Sequence, residues 1–282
     1  MTMEAKAYAK LNLTLEITGE LGEYHTIESV FQKISLFDVV SVKLGKSDSI
    51  IFSESIRNIT STVHKALELF KKKANVKENF EIYVKKNIPM GSGLGGGSAD
   101  GAITLLLLNA MFKNILSKSD LYEIAKEVGS DVPFFLDSNT AWVKGIGDIV
   151  QELPNLKELY FVLVHPKFHF KTKEMYAMFH DYGKYSDGTR TLTLVELIKK
   201  GNYTAKDIDK LCYNDFEMML LEKSEKFVEF KNILETIAEV KFHLTGSGST
   251  VFAIFDTKKE AEKVKNTLDK MKFNTDLVSS NI

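Results

Sequence analysis

The stretch Pro89-Met90-Gly91-Ser92-Gly93-Leu94-Gly95-Gly96-Gly97-Ser98-Ala99-Asp100 runs straight into an apolar helical pattern, and five of the seven residues from Gly91 to Gly97 are glycine. Such a segment has almost no side chains to bury. It is a loop that can take positive φ and turn its backbone N–H groups toward one point. The helix behind it adds free N–H donors and a partial positive charge. Together they form a receptor for an anion, and a polyphosphate is the natural guest. Pro89, Gly91, Ser92, Gly93, Leu94, Gly95, Gly96, Gly97 and Ser98 are the candidate lining, and Ser98 can also approach a metal ion. A plain flexible turn capped by Ser98 competes with this reading. It is disfavoured because every glycine loses extra backbone entropy on folding.

The loop is not of the Walker A kind, since no Lys-Ser or Lys-Thr follows its last glycine. Gly91, Gly93 and Gly96 do fit the dinucleotide pattern G-x-G-x-x-G. That pattern needs a buried parallel strand in front of it. The segment Phe80–Lys86 instead alternates apolar and polar residues, which makes a nicotinamide-dependent enzyme a poor second choice.

The rest of the chain predicts an α+β fold. Ala9–Ile17 alternates without a break, giving a strand with Lys10, Asn12, Thr14 and Glu16 on one face, which alternation alone turns toward solvent. Strands are also expected at 27–34, 39–44, 80–85, 141–143 and 149–153. Helices are expected at 63–73, 99–112 and 121–128, with a short helix or turn over 130–137. The second half predicts strands at 159–164, 240–245, 251–255 and 273–277, with helices at 173–180, 194–199, 216–222, 227–235 and 259–271. This order suits an antiparallel sheet with helices on one face. The polar stretch 154–157 divides the chain into domains 1–154 and 155–282, and Asp181–Thr191 is expected to be a mobile loop.

Composition narrows the function classes. The 282 residues carry 37 Lys+Arg against 38 Asp+Glu, a net charge of −1, so nothing draws the whole chain to nucleic acid or an anionic membrane. Cys212 is the single cysteine, the first ten residues lack a signal-peptide pattern, and the longest apolar run, Ile103–Leu108, is broken by Thr104. A cytoplasmic protein with a small-molecule substrate is the expectation.

Three motifs in order resemble the GHMP kinases (galactokinase, homoserine kinase, mevalonate kinase and phosphomevalonate kinase). They are Ala9-Lys10-Leu11-Asn12-Leu13, the glycine loop, and Leu244-Thr245-Gly246-Ser247-Gly248-Ser249-Thr250 between two strands. Further segments are similar to one branch, which phosphorylates a cytidine-diphosphate-linked methylerythritol in the non-mevalonate route to isoprenoids. These are Glu23-Tyr24-His25, Gly129-Ser130-Asp131-Val132-Pro133-Phe134-Phe135, Gly145-Ile146-Gly147-Asp148, His165-Pro166 with Thr172 and Tyr176, and Asn214-Asp215-Phe216-Glu217. The chain departs from the branch at Tyr8, where proline is usual, and at Glu23, where glycine is usual.

The resemblance implies a two-domain fold: an N-terminal domain like the second domain of ribosomal protein S5, and a C-terminal ferredoxin-like antiparallel sheet with helices. It implies ATP and Mg2+, with Asp131 as the base that takes the hydroxyl proton and Lys10 as the neighbouring cation. Without it, Lys10 is a solvent-facing strand residue and Asp131 a helix cap. It places Tyr24 and Tyr176 on either side of a cytosine, His25 on the base edge, Asn12 and Thr172 at the substrate, and Asn109 near adenine. Gly246, Ser247 and Gly248 would close the site near the substrate phosphates. Other alcohols, of the homoserine or mevalonate type, are the alternatives within the family. A binding module without turnover is the alternative outside enzymes. His64, His169, His180 and His243 show no ligand pattern and are read as structural.

Overall fold

The computed structural model describes residues 2–53 and 61–282. Its frame is a long hairpin, β1 (Thr2–Leu21) and β2 (Tyr24–Gly45), turning at Gly22-Glu23. Gly22 has a φ of +62°, as a two-residue turn with glycine in first place requires. The ladder is irregular at three places: between Tyr8 and Lys10, between Asn12 and Thr14, and between Ile17 and Gly19. Lys10, Leu11 and Asn12 therefore sit in a short regular stretch with a break on each side. Such breaks bend a strand and re-aim its side chains.

β3 (Ser49–Phe52), α1 (Thr62–Ala74) and β4 (Asn79–Lys85) follow. α1 buries Val63, Ala66, Leu67 and Phe70, the expected stripe. Next come α2 (Gly96–Met111), α3 (Lys118–Val128), α4 (Val132–Asp137), β5 (Thr140–Gly145) and β6 (Ile149–Glu152). The seven-stranded first sheet has the order β3-β4-β2-β1-β8, with β5 on β2 and β6 on β5. On the edge away from β1, β2 serves two partners because it is long: residues 39–45 pair with β4 and residues 27–32 with β5. The two strands expected at 27–34 and 39–44 are thus one.

The C-terminal half holds β7 (Tyr160–Val164), α5 (Thr172–Tyr182), α6 (Thr189–Lys200), α7 (Ala205–Leu211), β8 (Tyr213–Asn214), α8 (Asp215–Lys223), α9 (Glu225–Ala238), β9 (His243–Leu244), β10 (Val251–Phe255), α10 (Lys258–Lys270) and β11 (Thr275–Ser279). Its sheet, β11-β7-β10-β9, is antiparallel throughout. The division at 154/155 falls between β6 and β7, but β8 crosses back to pair with β1, so the second half stitches itself to the first sheet. None of the described helices is long and apolar enough to cross a membrane.

Two expectations are corrected. Lys10, Asn12, Thr14 and Glu16 are buried to 3 % exposure or less, so the polar face of β1 is not solvated. Asp215 takes the Ile17 N–H at 2.6 Å, and Glu16 and Thr14 are bonded by Thr191. The segment 181–191 is therefore not a free loop. Ser186 donates its N–H to the Ile17 carbonyl, and α6 begins at Thr189. Within the segment, Thr191 bonds to the buried Glu16 and Thr14, and the Ser186 hydroxyl donates to the buried Asp215.

Candidate active site

The glycine loop joins β4 to α2 and faces the Gly246–Thr250 turn between β9 and β10. Gly93 (φ +80°) and Gly246 (φ +58°) make the seam between them. A Cβ on Gly93 would strike the Thr245 carbonyl oxygen, and one on Gly246 would lie 2.9 Å from the Gly93 carbonyl oxygen. Only glycine at both positions lets the two backbones come this close. The seam is then tied by hydrogen bonds. Thr250 N–H donates to the Ser92 carbonyl at 3.2 Å, and Lys10 N–H to the Leu94 carbonyl at 2.9 Å.

Lys10 occupies the centre of this seam. Its Nζ donates to Asn12 Oδ1 at 2.5 Å and to the Gly93 carbonyl at 3.0 Å, above the Phe31 ring. Asn12 N–H donates to Thr245 Oγ1 at 3.0 Å, so β1 is bound to both glycine loops. Burial pulls the Lys10 ammonium below the ordinary lysine range, and the charge of Asp131 opposes this.

Asp131 stands at the N-cap of α4, with Pro133 in the first turn, yet its side chain makes no capping bond. The carboxylate is left for the cleft, in a wall it shares with Lys10, Asn12, Ser130, Thr172 and Ser247. Thr172 and Ser247 meet hydroxyl to hydroxyl at 2.8 Å. This cavity measures about 560 Å³ and is also lined by Pro89 and by the whole loop from Gly91 through Ser98.

A second cavity of about 1010 Å³ adjoins the first, sharing Ser130, Ile146 and Tyr176 as lining. Tyr24 lines it with 62 % of its surface exposed. The His25 ring stacks on Tyr176, centroids 5.1 Å apart at 25°, and Tyr176 meets Phe216 edge-on at 4.9 Å. Burial raises the Tyr176 phenol above its usual range, and the Asp131 charge adds to this. His180, read from sequence as structural, also stands on this wall, with Nδ1 2.8 Å from Glu20 Oε1.

Asn109 is corrected. It is buried late in α2, where its amide donates to the Leu116 carbonyl at 3.1 Å and accepts the Leu116 N–H at 2.9 Å. Both ends of the side chain are spent on closing the turn after the helix, and it lines neither cavity.

Sequence reasoning assigned no work to several residues that build the site. Asn214 donates to the Leu244 and Gly246 carbonyls, each at 2.9 Å, and Glu217 accepts the Leu244 N–H at 2.9 Å. With Asp215 on Ile17, the motif Asn214-Asp215-Phe216-Glu217 is a clamp that holds the second glycine loop against β1. Lys86 bridges the buried Asp38 and Asp100 beneath the first loop, 2.7 Å from Asp100. Asp38 also accepts the N–H groups of Asn87 and Ile88 at 2.5 and 2.8 Å. Burial raises Asp100, whose Oδ1 has no hydrogen-bond partner among the described residues. The motif itself was the available signal for the clamp. For the Lys86 bridge, the lone acid just past the glycines was the only hint.

The model of the GHMP kinases N terminal domain matches residues 61–139, and that of the GHMP kinases C terminal region matches residues 195–273. A protein of Clostridium tetani named 4-diphosphocytidyl-2-C-methyl-D-erythritol kinase is 35% identical over 99% of this chain and 100% of its own length. One of the same name from Thermotoga maritima is 37% identical over 91% of this chain and 93% of its own. Among solved structures, a 4-(cytidine 5'-diphospho)-2C-methyl-D-erythritol kinase superposes with a TM-score of 0.78 at 25% identity, covering 98% of each chain. A homoserine kinase from Cytophaga hutchinsonii superposes almost as well, with a TM-score of 0.77 over 100% of this chain and 95% of its own, but at 18% identity, a likeness of fold alone.

Proposed function

The chain belongs to the GHMP kinases, and from that membership we propose that it transfers a phosphoryl group from ATP to the 2-hydroxyl of 4-diphosphocytidyl-2-C-methyl-D-erythritol. The observation that supports this best is that Lys10 and Asp131 line one cavity beside the glycine loop, near enough for the Asp131 charge to act on the lysine, in a chain similar over its whole length to kinases of that name.

A kinase must hold a hydroxyl near the γ-phosphate and tolerate charge in transit, so its work is positioning and electrostatics. In this reading the N–H groups of residues 91–98 and the start of α2 hold the polyphosphate. Asp131 accepts the proton of the substrate hydroxyl as the hydroxyl oxygen bonds to the γ-phosphorus, the bond from that phosphorus to the β-phosphate oxygen breaks and ADP leaves. Lys10, fixed by Asn12 and the Gly93 carbonyl, stabilises the developing alkoxide and the phosphoryl in flight. Thr172, Ser247 and the turn at Gly246–Gly248 face the substrate phosphates from the C-terminal side. The second cavity takes the cytidine, with Tyr24 offering a ring face and His25, backed by its stack on Tyr176, the base edge.

Mg2+ would accompany the ATP. The Ser98 hydroxyl and the unpartnered Asp100 Oδ1, both on residues lining the first cavity, are the hard oxygen donors such an ion prefers. When bound, it neutralises polyphosphate charge.

The test is ADP release with Mg-ATP and, in separate reactions, the cytidine compound, homoserine and mevalonate. Turnover with the cytidine compound alone is expected. Turnover with another alcohol instead would discard the substrate and leave the kinase chemistry standing.

A further inference from the structure

The hairpin tip and α5 bring together three metal-ligating side chains that the phosphoryl-transfer chemistry does not use as a group. Glu20 near the end of β1 pairs directly across the ladder with His25 near the start of β2. His180 approaches them from the last turn of α5. Glu20 Oε1 is 2.8 Å from His180 Nδ1 and 3.8 Å from His25 Nε2, and the three donor atoms all lie within 4.8 Å of one another.

We propose that Glu20, His25 and His180 form a binding site for a divalent transition-metal ion of the zinc type on the wall of the second cavity. Three observations carry this. First, His25 Nε2 is buried without a hydrogen-bond partner among the described residues, and a buried ring nitrogen left so calls for an explanation, of which a bound ion is one. Second, the ring cannot easily turn away, because it is stacked between Tyr176 at 5.1 Å and Tyr185 at 6.3 Å. The Tyr185 hydroxyl also donates to Glu20 and orients its carboxylate, the kind of outer contact that metal ligands characteristically have. Third, the spacing suits the chemistry. Two imidazoles and a carboxylate are an open three-ligand zinc set, and bonds of about 2 Å in a tetrahedron place ligand atoms about 3.3 Å apart. The two distances to Glu20, 2.8 and 3.8 Å, straddle that value. Nitrogen donors select against Mg2+ and Ca2+, which take oxygen, so the site is distinct in kind from any Mg-ATP site. Three protein ligands leave a fourth position for water or for a donor atom of a molecule in the cavity. An ion here ties the hairpin tip to α5. An ion held by His25 Nε2 leaves the other ring nitrogen, Nδ1, for the base edge, so the two assignments are compatible.

The experiment uses the full chain after chelator treatment, with millimolar Mg2+ present throughout. Zn2+ binding is followed by calorimetry, and Co2+ binding by its visible absorption. One Zn2+ per chain and the intense bands of four- or five-coordinate Co2+ are expected. Glu20→Gln, which keeps the side-chain shape, and His180→Ala, at a side chain 64% exposed, are each expected to weaken binding by about tenfold or more. Circular dichroism of both variants checks the fold. No binding by the wild-type chain would overturn the proposal. So would binding that both folded variants retain in full, because the ion would then lie elsewhere.

Discussion

The two cavities meet at Ser130, Ile146 and Tyr176, yet they are built by opposite means. The first is made of backbone. Two glycine loops touch where side chains are excluded, and buried polar groups brace them: Lys10 and Asn12 at the seam, Asn214 and Glu217 on one flank, Lys86 with its two aspartates below. The second is lined by side chains from the hairpin tip and α5, closed by the end of α3 and the β5–β6 turn, with Tyr24 largely in solvent. The difference follows from the guests. A polyphosphate is recognised by converging N–H groups, which need exact backbone placement and few side chains. A flat base is recognised by ring faces, which tolerate movement. Changes in the first cavity should therefore act on the rate of transfer, and changes in the second on substrate affinity.

The largest effect expected is from Asp131→Asn. The amide fills the same space but cannot accept the hydroxyl proton, and general-base catalysis contributes about 10²–10⁴-fold. A fall of kcat in that range is expected in steady-state assays, with ATP affinity by equilibrium binding and the KM for the alcohol within a few-fold of wild type. A rise in KM with kcat intact would move Asp131 to the binding side and erase the contrast.

A smaller effect is expected from Tyr24→Ala. Base stacking on an aromatic ring is worth about 1–3 kcal/mol, so the KM for the cytidine substrate should rise about 5–150-fold while kcat stays near wild type. Tyr24→Phe should restore the KM, since the ring face and not the hydroxyl does the work. An unchanged KM in the alanine variant would take Tyr24 out of the slot and leave Tyr176 and His25 to hold the base.

The same contrast explains what could be read in the sequence. The glycine loops were legible because their requirement is local: glycine where backbones touch, a helix directly behind. Lys10 and Asp131 were located through motifs, but alternation assigned Lys10 the wrong environment. A period-2 pattern reports that two faces differ, and it does not report that the polar face is buried under Thr191, Thr245 and Asp215. The clamp made by Asn214, Asp215 and Glu217 spans contacts of 27 to 198 residues in sequence, beyond the reach of any local rule. Asn109 failed for the reverse reason. The resemblance put this asparagine, late in the helix behind the glycine loop, near adenine, but its partner lies seven residues away in the turn that follows.

The smallest effect concerns how the first cavity is braced, and it turns on Lys33. This residue of β2 is buried behind α4, the helix that Asp131 precedes. Its Nζ donates to the Phe135 carbonyl at 3.3 Å and lies 5.7 Å from the Phe134 ring centre. Burial lowers its pKa to about 8, and the charge of Asp137 opposes the shift. Below about pH 8 the lysine is charged in both the folded and unfolded chain, and its burial then costs stability, by no more than about 3 kcal/mol. Between about 8 and the ordinary lysine range the folded chain gives up its proton first. The unfolded chain then binds more protons, and stability rises with pH. Lys33→Met should therefore be at least as stable as wild type near pH 7, and its advantage in Tm should shrink as pH rises through about 8 toward 10. Parallel Tm curves for the two proteins would mean that Lys33 finds more compensation than the Phe135 carbonyl and Asp137 supply. The ground beneath Asp131 would then be held by a full ion pair, like that of Lys86 with its two aspartates, and not by a tolerated charge.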